Sequence, residues 1–235
     1  MTDDRNRYQI TRIDAKNCFV ESLSDTFSYG KAHLTFCTYD KSRPEGQRMT
    51  ANIQIYIDIA DWLELCRMLD SGELRAAVAA QNRSGSRDPI KEWLGGTSVK
   101  KLAKLGKPRE DGKSLSRTAQ LYAARNAGSV LFAASSGPGE ENATGLIVPK
   151  FGKSPEQHVA VSMTLDNLSK LLLLTRIHYT AWLTAAYMMQ EQPAPAASAH
   201  SRTERMPQQQ AARQTQPRSL QTPSKPTIQS PVAMF

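Results

Sequence analysis

Tyr39 and Tyr56 stand among four cations, Lys31, Lys41, Arg43 and Arg48, on stretches where apolar and polar residues alternate. An aromatic ring offers a flat face to a nucleobase, while ammonium and guanidinium groups follow phosphate oxygens. Rings interleaved with cations therefore suit an unpaired polynucleotide, each stacked base being worth about 1–3 kcal/mol. The same tyrosines could instead pair across neighbouring strands, a purely structural use. A sparser set follows later: Lys150, Phe151 and Lys153, in a turn punctuated by Gly152 and Pro155.

Between these two sets the chain turns strongly basic. Residues 83–125 hold eleven lysines and arginines, among them Lys100, Lys101, Lys104, Lys107 and Arg109, against four acids. The whole chain of 235 residues carries 30 Lys and Arg against 22 Asp and Glu, a net charge of +8. Most of that excess sits in one stretch, the electrostatic footprint of a polyanion binder. A solvated basic linker would have the same composition.

Patterns for covalent or metal chemistry are missing. Gly137, Pro138 and Gly139 are followed by Glu140, which would repel phosphate, and no lysine follows at P-loop spacing. Residues 95–100 read as a loop whose spacing does not fit a P-loop. His33, His158, His178 and His200 are solitary, and Cys18, Cys37 and Cys66 lie far apart, without the close spacing of a zinc or dithiol site. Asp58 and Asp61 suit the start of a helix better than an acid pair. The expectation is a non-enzyme with no cofactor and no metal. No export signal opens the chain, and the apolar run at 171–189 carries Arg176 and His178 near its middle. A charge there costs a few kcal/mol in a bilayer, so a buried helix is expected instead, with no membrane partner and a cytoplasmic location.

The elements that must position these residues come from periodicity. Residues 53–59 alternate apolar and polar, the signature of a half-buried strand, and run into helical spacing over 60–69. Residues 159–165 do the same before 166–174, and the two segments match in phase at a constant offset of 106. Ile53, Ile55 and Ile57 fall on Val159, Val161 and Met163, and Trp62, Leu65 and Cys66 fall on Leu168, Leu171 and Leu172. Asp58 and Thr164 fall on each other and both suit a helix N-cap. Residues 32–39 predict a further strand, followed by a polar turn over 40–47. In the second copy 129–134 and 145–149 predict strands, with a turn at 137–139 between them.

The expected organisation is a first sheet-plus-helix repeat over 8–75, a basic and partly helical linker over 76–127, and a second repeat over 128–190. A disordered tail over 191–235 follows, since it holds seven of the 13 prolines and clustered glutamines. The fold class is α+β: two antiparallel-sheet-plus-helix repeats forming a pseudo-dimer. Each helix must cover one sheet face and leave the other free. With Ile53, Ile55 and Ile57 inward, Gln54 and Tyr56 point outward, as do His33, Thr35, Cys37 and Tyr39 on the neighbouring strand. The helix over 166–189 is apolar on more than one stripe, which calls for burial against the first helix or a second protomer.

Several antiparallel strands followed by one helix, used twice, resemble the positive cofactor four and Whirly family of single-stranded DNA-binding folds. The resemblance is topological, covers about residues 27–189, and rests mainly on 137–139, 146–149 and 159–174. It implies that helices pair two sheets and that exposed sheet faces bind unpaired strands. Residues and resemblance together give a non-enzymatic binder of single-stranded DNA or RNA. The alternative is an interaction adaptor that recruits a protein partner through the long helix and the apolar end at 231–235.

Overall fold

The computed structural model describes residues 7–126 and 128–190, and only the backbone of Gln190, so the tail expected over 191–235 lies outside the described residues. The first repeat is a four-stranded antiparallel meander of β1 (Gln9–Ala15), β2 (Cys18–Leu23), β3 (Lys31–Tyr39) and β4 (Met49–Asp58), followed by α1 (Ile59–Asp70). A two-residue turn joins β1 to β2, and Asn17 takes the positive φ of 59° that asparagine tolerates. After α1 the chain reverses at Ser71 and Gly72 into α2 (Glu73–Ser84), whose Leu74 and Val78 are buried.

The second repeat begins earlier than its hydrophobic pattern announces. The stretch expected as a linker supplies β5 (Lys91–Thr97), the short α3 (Val99–Lys104) and β6 (Ser114–Ala123), which precede β7 (Ser129–Glu141), β8 (Ile147–Pro149), β9 (Gln157–Thr164) and α4 (Leu165–Gln190). The second sheet runs β5-β6-β7, and the far edge of β7 is shared, β9 along residues 129–136 and β8 along 139–141. The reason is visible in β6. Leu115, Ala119 and Leu121 alternate with Ser116, Thr118 and Gln120, and Arg117 is the one cation of β6, so most of the basic charge of the stretch lies on α3 and in the loops. Residues 137–139, expected as a turn, continue β7 instead, and the chain reverses over 142–146. Gly139 is needed for close packing: a Cβ there would lie 2.7 Å from Ile147 Cγ2 and 2.8 Å from Ser116 Cβ.

The repeat holds in detail. β4 ends at Asp58 and β9 at Thr164, and α1 and α4 start one residue later. Leu34 pairs with Ile55 as Phe132 pairs with Val161, and Ala32 pairs with Ile57 as Val130 pairs with Met163. The amide of Ile59 donates to the carbonyl of Gly30 (2.9 Å), and that of Leu165 to Gly128 (3.1 Å). The caps diverge. Thr164 Oγ1 accepts from the amide of Asn167 at 3.2 Å, whereas the Asp58 carboxylate binds Lys31 and makes no cap bond.

Both sheets bury their inward rows in one core that includes Val20, Leu34, Phe36, Ile55, Leu121, Phe132 and Val161. Phe36 meets Phe132 edge to face, ring centroids 5.0 Å apart. The helices cross where repeat-equivalent residues meet: Cys66 Sγ lies 3.7 Å from the carbonyl of Leu172, and Asp70 pairs with Arg176 at 2.6 Å. Trp62 Nε1 donates to the same Leu172 carbonyl at 3.4 Å. α4 thus gains a partner other than its own sheet, the first of the two covers its apolar character calls for. Further along, Thr175 Oγ1 reaches Ser22 Oγ (2.8 Å) and the Leu171 carbonyl (2.7 Å), which fixes α4 to β2. Among the described residues no helix is long and apolar enough to cross a membrane.

Removing a core anchor should therefore disturb both repeats at once. Leu171→Ala is expected to lower stability by about 2–5 kcal/mol in urea unfolding. Asp70→Ala, which breaks a largely exposed ion pair, is expected to cost under about 1 kcal/mol. A near-neutral Leu171→Ala would contradict the shared core.

Candidate nucleic-acid interface

The outer face of the first sheet is polar and only partly open. His33, Thr35 and Cys37, expected outward, do lie opposite the core row but are buried by their cross-strand neighbours, His33 being 4% exposed. His33 Nδ1 contacts Asp25 Oδ1 at 2.8 Å and Nε2 contacts Gln54 Oε1, which also accepts from Thr35 Oγ1 at 3.0 Å. Tyr56 stacks on the His33 ring with centroids 4.5 Å apart and stays 48% exposed. Burial raises its phenol above the usual range, the Asp25 charge adds to this, and the Arg117 charge opposes it. The ring is therefore held flat and neutral, with one face toward solvent.

Tyr56 does not stand alone. With Lys31 and Lys101 it lines a cleft of about 590 Å³ between β4 and the β5–β6 end of the second sheet. Lys31 Nζ sits 2.6 Å from Asp58 Oδ1 across the β3–β4 pair. Lys101 comes from α3, which Ser98 caps by accepting from the Lys101 amide and which Leu102 anchors in the interior. Lys100, Lys104 and Lys107 are exposed around the same helix but do not line the cleft.

At the opposite end of the hairpin, about 26 Å away at 3.3 Å per residue, lies a second group. Phe19 and Tyr39 have ring centroids 6.3 Å apart, Lys41 Nζ lies 5.8 Å from the Tyr39 ring, and the Arg12 guanidinium lies 3.5 Å from the Phe19 ring. Arg43 and Arg48 are exposed in the β3–β4 turn. Arg43 Nε lies 3.5 Å from Asp40 Oδ2, and Arg48 Nε donates to the Arg43 carbonyl at 3.2 Å. On the second sheet, Phe151 and Lys153 line a separate groove of about 550 Å³ with Thr118, Gln120, Ser135 and His158. Lys150 is close in sequence yet pairs with Glu140 at 2.9 Å.

Nine of the predicted residues thus fall into three groups rather than one surface, and Lys100, Lys104, Lys107, Arg109 and Lys150 lie outside them. Arg12, Tyr29, Trp93 and Arg117 complete two of the groups and are not among the predicted residues. Arg12 belongs to a hairpin whose apolar pattern is too short to announce itself. Arg117 shares the inward row of Leu115, Ala119 and Leu121, a placement that shows only once β6 is known to be a strand. No cluster of three or more His, Cys, Asp or Glu able to hold a metal occurs among the described residues. Cys66 is buried against α4, and burial pushes its thiol up to about 11, which keeps it an unreactive thiol.

Arg109 has a structural task. Its guanidinium is 16% exposed and grips Asp111 at 2.8 Å and Glu156 at 2.6 Å, tying the α3–β6 loop to the start of β9. The Arg109 hydrogen bond holds the Asp111 carboxyl down at about 2 and lowers that of Glu156 as well. Depressed carboxylates stabilise the fold above their unfolded values, near pH 4, and that contribution disappears as pH falls toward 2. In Arg109→Gln both carboxyls should titrate at more ordinary values in carbon-detected NMR, and the acid sensitivity they cause should fade. Unmoved titrations would show that the clamp is not what depresses them.

No protein-family profile and no curated protein matches the chain. Among solved structures, that of the plant transcriptional regulator PBF-2 is similar over 78% of this chain and 88% of its own, with a TM-score of 0.40 and 9% identity. That is a weak resemblance in fold, and no function is taken from it.

Proposed function

We propose that the chain is a non-enzymatic binder of single-stranded DNA or RNA. The observation that carries this reading is the convergence of Tyr56, Lys31 and Lys101 on one cleft, although they come from β4, β3 and α3. A half-exposed ring with its back fixed on His33 is pre-organised for stacking, so little ordering cost falls on the bound state. The cations around it supply attraction without sequence readout. Tyr39 with Lys41, Arg43 and Arg48 offers a second contact at the far end of the same hairpin, and Phe151 with Lys153 a third. A strand spanning several nucleotides would engage more than one of them.

A second reading is favoured by one observation. Ile177, Tyr187, Met188 and Met189 on α4 are exposed, the last at 77%, and suit an adaptor or a self-associating protein better than a strand binder. On that reading, charge reversal on α3 leaves partner capture intact, and removal of residues 231–235 ends it.

An electrophoretic titration with single- and double-stranded oligonucleotides at two salt concentrations separates the two. Single strands are expected to bind with little sequence preference and a steep salt dependence. Lys100→Glu with Lys101→Glu should weaken binding and flatten the salt slope by roughly 0.7 for each lost phosphate contact. Tyr56→Ala should cost about 1–3 kcal/mol of binding. No detectable binding at low salt would overturn the reading.

A further inference from the structure

We propose that the cleft between β4 and β5 seats one nucleotide of the bound strand, with Arg117 receiving its phosphate. This rests on the strand-binding reading and extends it to a residue and a chemical group. Three described arginines are not fully exposed on the surface: Arg109, Arg117 and Arg176. Arg109 is directed at Asp111 and Glu156, and Arg176 at Asp70. Arg117 has no such carboxylate among the described residues. Its hydrogen-bond partner is the neutral hydroxyl of Thr97, which accepts from Nη1 at 3.0 Å. A guanidinium carries five N–H donors, and the one side-chain bond to Thr97 leaves it capacity for a further acceptor in the cleft that it lines.

The position makes that unusual. Arg117 shares the inward row of β6 with Ala119 and Leu121, at the end where the second sheet meets the edge of β4. Burial disfavours its charge and lowers its pKa from the ordinary arginine value, with Tyr56 the neighbouring group that offsets this. A partly desolvated cation without a counter-ion is a cost that an incoming anion would relieve. Planar guanidinium against phosphate is the pairing with the best geometry for it.

The rest of the cleft narrows the anion to a nucleotide. Its volume of about 590 Å³ fits a ligand of that size. Three rings line it, Tyr29, Tyr56 and Trp93, and Tyr29 is 77% exposed at the mouth. Lys31 and Lys101 add positive charge, and the one carboxylate in the lining, Asp58, is already bound to Lys31. A bare inorganic anion or an acidic peptide would make use of the cations but not of three rings, whereas a base with its phosphate uses both.

The test uses the full chain, titrated calorimetrically with thymidine 5′-monophosphate, thymidine, inorganic phosphate and an oligothymidylate. The monophosphate is expected to bind more tightly than either thymidine or phosphate. Arg117→Leu should lower affinity for monophosphate and oligonucleotide by about tenfold or more, the scale of a lost charge-assisted hydrogen bond. Arg117→Lys should restore part of it. Wild-type binding by a folded Arg117→Leu protein would overturn the proposal, as would equal affinity for thymidine and its monophosphate. If Arg117→Leu does not fold, Tyr29→Ala decides, because that ring is at the surface. A weakened monophosphate supports the seat, and an unchanged one overturns it. If the oligonucleotide fails to bind wild-type protein, the strand-binding reading falls. Monophosphate binding that still needs Arg117 would keep the nucleotide seat, and its absence would end both.

Discussion

The crossing of α1 and α4 is the constraint on which the rest of the molecule depends. Each sheet has one apolar face, and a single helix of twelve residues, as α1 is, cannot cover it. The two repeats solve this jointly. Trp62, Leu65 and Cys66 of one helix meet Leu168, Leu171 and Leu172 of the other, all fully buried, at positions related by the repeat. Because equivalent residues touch at the crossing, the two sheets are held in a pseudo-symmetric relation without a second chain. Their outer rows then remain polar, and the edge of β4 comes against the end of the second sheet to form the cleft.

Symmetry in the core is not repeated on the outside. His33 and Tyr56 of the first sheet correspond in register to Leu131 and Ser162 of the second, so only the first carries a stacked ring pair. The second sheet instead places Ser135, His158 and Phe151 around a groove, with Ser135 Oγ and His158 Nδ1 2.9 Å apart. Duplication therefore preserved the rows that pack and let the outward rows diverge. Charge follows the same division. Arg109 and Arg176 became structural by meeting carboxylates, while α3 keeps its lysines exposed.

Much of this architecture could be read from periodicity, because the rows that pack are the rows that alternate. The strand–helix junctions at 53–69 and 159–174 are long, strongly patterned and in phase, so their type and register were legible. The β1–β2 hairpin was not, since β2 is buried at four of its six residues, three of them in a row, and shows no clean alternation. β5 and β6 were hidden because their patterns are broken: Lys91, Gly95 and Gly96 interrupt one, and Arg117 interrupts the other. Composition marks 83–125 as basic and so suggests a linker, although most of that charge lies on α3 and in the loops and leaves Ala119 and Leu121 of β6 a buried row. The same effect scattered the site residues. Lys31, Tyr56 and Lys101 are each legible in the sequence as candidates, but their meeting depends on how the two sheets pack, which no local pattern encodes.

Photocrosslinking tests the central claim most directly. An oligothymidylate irradiated in complex with the full chain, followed by peptide mass spectrometry, reports which residues touch bases. The account predicts adducts at Tyr56 and its neighbours Tyr29 and Trp93, fading as salt is raised. Adducts confined to the exposed end of α4, or none at any salt concentration, would contradict it.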